Sequence, residues 1–215
     1  MPYRITPLVN KNFYHVFNRG VEKRKVFSND KDYQRFIDTL YYYQFSGPKP
    51  SFSQYRRFKN KSFESNTKIV EIVAYCLMPN HFHLLLKQLK DGGITEFVSK
   101  ISNSYTKFFN TKHSRVGPLL QGQFKAVLVE NDEQLTHLSR YIHINPYVAE
   151  LVKDPAIYKY SSYSEYIGKT NRKLCFNETI MSFFKSPEEY KKFVGDHEDY
   201  ALRIEQMKHL LIEDE

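Results

Sequence analysis

The chain has 215 residues, 41% hydrophobic and 26% charged, a composition that supports a buried core and excludes a wholly disordered polypeptide. Its longest uninterrupted apolar run, Ile72 to Met78, is far short of the roughly 20 residues that cross a bilayer, so a membrane-spanning helix is excluded. The net charge of +8 hides an asymmetry: residues 1–125 carry 21 Lys and Arg against 8 Asp and Glu, whereas residues 126–215 carry 11 against 16.

A basic portion in a chain with 17 Tyr and 17 Phe suits a polyanion with exposed bases, because cations hold phosphates and rings stack on bases. Cys76 and Cys175 are too few for a disulfide framework or a thiolate zinc site, and Cys76 lies in an apolar run where it reads as packing. The first ten residues have no apolar core or small-residue cleavage site, which gives the expectation of a cytoplasmic protein. The length fits one core with an appendage, placed here at residues 1–150 and 151–215.

In chain order, Phe13 to Arg19 reads as a strand closed by Asn18-Arg19-Gly20. Ser28-Asn29-Asp30 offers caps for a helix from about Lys31 to Tyr43, with Phe36, Ile37, Leu40 and Tyr43 at helical spacing, ended by Gly47-Pro48. Lys49 to Asn66 shows no period and sets Arg56, Arg57, Lys59 and Lys61 among Phe52, Tyr55, Phe58 and Phe63. This basic, aromatic loop is either a solvated excursion or a grip on nucleic acid. Ile69 to Leu77 and His81 to Gln88 are strands joined by the turn residues Met78-Pro79-Asn80. A helix from Thr95 to about His113 carries Phe97, Val98, Ile101, Tyr105, Phe108 and Phe109, and Phe124 to Val129 is a fourth strand. Asn131 or Asp132 caps a further helix, which Pro146 is expected to stop because the residue before a proline resists the helical region. The order β-α-β-β-α-β predicts an α+β fold, a ferredoxin-like (RRM-like) antiparallel sheet with two helices on one face. After Pro146 come Tyr-rich turns and short helices. Ser186-Pro187-Glu188-Glu189 is a capping box opening a helix that continues towards Ile212.

His81 and His83 flank Phe82 on a strand, where the side-chain period of two puts both imidazoles on one face. If the apolar face packs on the two helices, the histidines look outward. They are then either half of a divalent-metal site or ordinary residues of a half-solvated strand. Tyr141 and Asn145, spaced i, i+4, share one face of the helix that ends the β-α-β-β-α-β series, presenting a hydroxyl and an amide together. A second reading of that pair is a buried Tyr with a C-terminal Asn cap. Tyr105, flanked at i+3 and i+4 by Phe108 and Phe109, reads as core, on the helix that covers the opposite sheet face.

The runs Tyr75-Cys76-Leu77-Met78-Pro79-Asn80-His81-Phe82-His83 and Leu138-Ser139-Arg140-Tyr141-Ile142-His143-Ile144-Asn145-Pro146, with His15 to Gly20 and Gln121 to Lys125, resemble those of REP-associated tyrosine transposases. These are relatives of the insertion-sequence transposases in the single-tyrosine HUH superfamily, and the resemblance spans roughly residues 13–166. It implies that His81 and His83 ligate a divalent metal, Mg²⁺ or Mn²⁺, that Asn145 completes the site, and that Tyr141 is the nucleophile. The tyrosine helix would cross the second sheet face. The implied reaction is cleavage and rejoining of single-stranded DNA beside hairpins through a 5′-phosphotyrosine. The implied partner is single-stranded or hairpin DNA, bound by a monomer or a homodimer. Arg19 could hold a phosphate near the metal, and Lys125, at the head of the fourth strand, joins Arg56, Arg57 and Lys59 as a candidate DNA contact. The alternative is a non-catalytic module for single-stranded RNA or DNA on the same sheet, needing neither metal nor Tyr141.

Overall fold

The computed structural model describes residues 7–47, 49–57, 67–170 and 172–196. Four strands, β1 (Phe13–Arg19), β2 (Val70–Met78), β3 (His81–Gln88) and β4 (Lys125–Val129), form one antiparallel sheet in the order β2-β3-β1-β4. Both predicted central strands, Phe13–Arg19 and His81–Gln88, have the expected bounds. Between β1 and β2 runs α1 (Asp30–Tyr43), capped by the Asn29 side chain accepting from Asp32 N. Between β3 and β4 runs α3 (Gly93–Lys112), and α4 (Asp132–Val148) follows β4, capped by Asn131.

Strand periodicity divides the core into two. Tyr14, Val16, Phe82, Leu84 and Leu86 point to the face covered by α1 and α3, where they pack with Phe36, Leu40, Phe97, Ile101 and Tyr105. The opposite face presents His15, Phe17, His81, His83 and Leu85, and it is covered by α4 and by residues beyond it. Val73 is the extra residue of a bulge between the Ile72 and Ala74 pairings, which offsets the two ends of β2 against β3.

Two predicted segments differ from the structure. Pro146 does not stop α4, which continues to Val148 with Pro146 buried inside it. So close to the C-terminal end, the missing amide removes one helical bond from a turn where carbonyls lose their partners anyway, and burial of the ring offsets that loss. The stretch expected as a loop over Lys49–Asn66 contains a short helix, α2 (Phe52–Arg57). Ser51 and Gln54 cap it reciprocally, Gln54 N donating to Ser51 Oγ at 3.3 Å and Ser51 N to Gln54 Oε1 at 3.0 Å. Phe52 seals it against Tyr42 and Tyr43. Residues 58–66, with Lys59 and Lys61, and the continuation towards Ile212 lie outside the described residues.

The chain after α4 forms the short helices α5 (Tyr163–Tyr166) and α6 (Glu178–Met181), then α7 (Pro187–Gly195) with Ser186 as the predicted cap. It also covers the free edge of β2: Leu77 N donates to Tyr160 O at 2.9 Å and Ser162 N to Tyr75 O at 3.0 Å. Among the described residues, no helix is long and apolar enough to cross a membrane.

Candidate active site

The hairpin between β2 and β3 is fixed by its own backbone. Pro79 O accepts from Val26 N and Phe27 N at 2.8 and 3.0 Å, and Asn80 O accepts from Gly20 N at 2.7 Å. A Cβ on Gly20 would stand 2.3 Å from Arg24 O, so only glycine lets the chain turn back here. This clamp sets the start of β3, and with it His81, opposite Arg19 of β1.

On the α4-covered face the two strand histidines stand with ring centroids 4.9 Å apart. Tyr141 reaches them from α4, its ring 5.4 Å from His83, edge-on. The structure therefore brings His81, His83 and Tyr141 together. Tyr105 lies in the other core, its hydroxyl donating to Val26 O at 2.6 Å, and burial pushes its pKa well above the usual phenol value. Asn145 follows Tyr141 by one turn on α4 and is half-buried.

The expectation that the histidines look outward is not met. His15 and His83 are fully buried and Tyr141 is 3% exposed, because α4 and the segment behind it cover this face as completely as α1 and α3 cover the other. His81, Arg19 and Asn145 are half-buried, so the site meets solvent on their side.

Burial fixes protonation and tautomer. Desolvation, aided by the nearby Arg19 charge, lowers His81 to about 4. Burial, followed by the charges of His81, His15 and Arg19, holds His83 well below the ordinary histidine value. Both imidazoles are neutral near pH 7, which is the form that offers a lone pair to a cation. His81 Nδ1 lies 2.6 Å from Asn80 Oδ1, so Nδ1 carries the proton and Nε2 the lone pair. His83 Nδ1 lies 3.0 Å from His15 Nε2, and His83 Nε2 is buried with no hydrogen-bond partner among the described residues. An orphaned ring nitrogen beside a second imidazole that keeps a lone pair fits a metal-ligand role, with His15 and Asn80 as the outer partners that orient the rings. Among the described residues no group of three His, Cys, Asp or Glu could hold a metal ion. Arg19 Nε is likewise buried without a hydrogen-bond partner, next to His81.

Sequence reasoning missed His15 as a site residue, although its parity with Phe17 on β1 puts it on the histidine face. It also missed the polar network that holds α4. His143 is fully buried, with Nδ1 2.7 Å from Tyr190 Oη and Nε2 2.7 Å from Ser162 Oγ. Tyr190 Oη is 3.0 Å from Ser139 Oγ, and Ser162 Oγ accepts from Tyr75 N at 2.9 Å. This chain of bonds ties α4, β2, Ser162 and α7 together and fixes the helix on which Tyr141 stands.

The other candidate contacts are scattered. Arg56 Nε is paired with Asp38 Oδ2 at 3.1 Å, Arg57 is exposed on α2, and Lys125 is exposed on the edge strand β4, paired in register with Phe17.

The family described as "Transposase IS200 like" matches residues 54–145, which include both histidines, Tyr141 and Asn145. No curated protein matches the chain. Among solved structures, the chain is similar in fold to a REP-associated tyrosine transposase bound to a REP hairpin, at 16% identity over 79% of this chain and 86% of that one, with a TM-score of 0.52. Weaker likenesses are to a candidate transposase from Deinococcus radiodurans (14% identity, 70% of this chain, 96% of that one, TM-score 0.36) and to tRNA(His) guanylyltransferase from Saccharomyces cerevisiae (12%, 89%, 74%, 0.39). At those TM-scores neither defines a shared fold. The segment 54–145, which holds the histidine pair and the tyrosine of α4, is thus similar to the IS200-like transposase family.

Proposed function

We propose that this protein cleaves and rejoins single-stranded DNA next to hairpins, with Tyr141 as the nucleophile and a divalent metal, Mg²⁺ or Mn²⁺, held by His81, His83 and Asn145. The observation that carries this reading is the meeting of a neutral histidine pair, one ring nitrogen of which is buried without a partner, with a tyrosine from a separate helix. Residues 1–150 are the catalytic unit on a ferredoxin-like sheet and residues 151–215 are an extension, whose described residues Tyr163, Tyr190 and Val194 brace α4.

A phenol is a weak nucleophile at neutral pH because it is protonated. When bound, the metal supplies Lewis-acid polarisation of the scissile phosphate. Tyr141 Oη attacks phosphorus, the bond to the 3′-oxygen breaks, and that oxygen leaves as a 3′-hydroxyl after taking a proton. The 5′-phosphate stays on the protein, and a 3′-hydroxyl can later reverse the step, so rejoining needs no external energy source. His81 and His83 would hold the metal, their rings oriented by Asn80 and His15, and Arg19 would bind a phosphate at the open side of the site. Arg57, Lys125, and Lys59 outside the described residues contact the strand backbone. The scaffold matches in fold a transposase seen with a REP hairpin, which supports hairpin DNA as the substrate class.

The test uses a pool of DNA hairpins with randomised single-stranded flanks, labelled at either end, and Mn²⁺. The wild type should retain the label 3′ of the break, and Tyr141→Phe should retain neither while still binding DNA. Asn145→Ala should slow the reaction and raise the metal requirement. Adducts that persist in Tyr141→Phe would refute the nucleophile, and no adduct with any metal would favour a non-catalytic strand-binding module.

A further inference from the structure

On the side of the sheet away from the histidines, α1, α2 and α3 enclose an open groove of about 720 Å³. Its lining includes Arg35, Lys107 and Lys112 among Phe52 and Phe108, with no acidic residue. These three cations are unevenly committed. Lys112 Nζ is paired with the buried Asp32 at 2.6 Å, whereas neither Arg35 nor Lys107 forms a salt bridge with a carboxylate among the described residues. The Arg35 guanidinium lies 4.3 Å from the ring centre of Phe52 and 5.2 Å from that of Phe108. Its Nε is buried without a hydrogen-bond partner. Burial, then repulsion from Arg56, lowers its pKa, so an anion in the groove would relieve an existing electrostatic cost. A planar cation held between rings is preorganised to meet a phosphate.

We propose that this groove is a second nucleic-acid site, which holds the sugar-phosphate backbone of a single-stranded DNA segment through Arg35 and Lys107. It rests on the reading of the protein as a DNA transferase and adds an anchoring surface on the sheet face opposite Tyr141. A strand held there is outside the cleavage site, so it contributes affinity and placement and takes no part in the chemistry.

The experiment measures binding of a long, random-sequence, fluorescein-labelled single strand to the full chain in EDTA, across a salt series. Neither metal nor Tyr141 is needed, so failure of the cleavage chemistry and failure of the groove are separable. Lys107→Glu, an exposed substitution, should weaken binding roughly fivefold to tenfold at low salt and reduce the salt slope by about one for each lost phosphate contact. Arg35→Lys, which keeps the charge but not the stacked plane, should also weaken it. Lys185→Glu makes the same change in net charge on the exposed loop before α7 and is the control. Equal losses in Lys107→Glu and Lys185→Glu, or none in Lys107→Glu and Arg35→Lys, would overturn the site.

Discussion

The two faces of the sheet are buried to similar degrees and are built differently. Under α1 and α3 lies an aromatic and aliphatic core in which the buried Tyr105 hydroxyl finds a backbone carbonyl. Under α4 lie His15 and His83, and α4 itself contributes the buried His143; of these, His83 keeps an unpartnered nitrogen. A buried polar atom without a partner costs about 1–3 kcal/mol, and on the sheet itself His83 Nε2 carries that cost next to a second imidazole and a tyrosine. The first face is built for stability. The second keeps an open valence where a tyrosine can reach it.

The sharpest way to break this comparison is to remove the same atom from each face. Tyr141→Phe should abolish covalent DNA adducts, read by gel retention of labelled DNA, and leave the fold intact. Tyr105→Phe should keep the adduct and instead cost about 1–2 kcal/mol of stability by stranding Val26 O, read by denaturant unfolding. An adduct lost in Tyr105→Phe at full folding would mean the faces are wrongly assigned. A smaller effect is expected at His15, which touches His83 rather than the metal. His15→Gln should weaken Mn²⁺ binding about tenfold to a hundredfold by calorimetry, since it frees the His83 ring to reorient. Unchanged affinity would remove His15 as an orienting partner.

The parts legible in the sequence were those carried by period and punctuation. Alternation in Phe13–Arg19 and His81–Gln88, and the Asn29, Asn131 and Ser186 caps, placed the sheet and most helices. The shared parity of His81 and His83 and the i, i+4 pair on α4 brought out the candidate residues, of which the structure brings His81, His83 and Tyr141 together. What stayed hidden depends on contacts distant in sequence. His15 joins His83 across 68 residues, and His143 meets Tyr190 across 47. The burial of the histidine face follows from residues 156–194 folding back over α4, which no local pattern in β3 announces. The α2 helix was hidden for the opposite reason: six residues are too few to show a period.

The network around His143 gives a milder test. Its partners are neutral and burial lowers its pKa from 6.5 to about 3, so the unfolded chain takes up this proton before the folded one does. Its contribution is complete above about pH 6.5 and is lost as pH falls towards 3, on the order of a few kcal/mol. The lowered values of His81 and His83 act in the same direction. Denaturant midpoints recorded from pH 7 to 4 should therefore fall, and fall less steeply in His143→Phe, whatever that variant's stability at pH 7. Tyr190→Phe, which strands His143 Nδ1 and Ser139, should cost about 1–3 kcal/mol at pH 7. Parallel pH profiles for wild type and His143→Phe would show that the imidazole does not limit acid stability.

The smallest effects separate Arg56 from its neighbour Arg57 on α2, a helix seated on the α1 side of the molecule. Arg56 is held by Asp38, whose other oxygen accepts from Gln34 Nε2 at 2.8 Å, whereas Arg57 is exposed. A surface pair of this kind contributes about 0–1 kcal/mol, so Arg56→Ala should lower stability slightly. Arg57→Ala should leave stability unchanged and weaken binding of single-stranded DNA about twofold to threefold across sequences, with a salt slope smaller by about one. Asp38→Asn is the decisive third variant. It releases Arg56 and removes a negative charge, so DNA binding should tighten if the ion pair keeps that guanidinium from phosphate. Tighter binding in Asp38→Asn that disappears in the Asp38→Asn, Arg56→Ala double variant assigns the gain to Arg56. A gain that survives the second substitution assigns it to the lost carboxylate, and Arg56 is then structural.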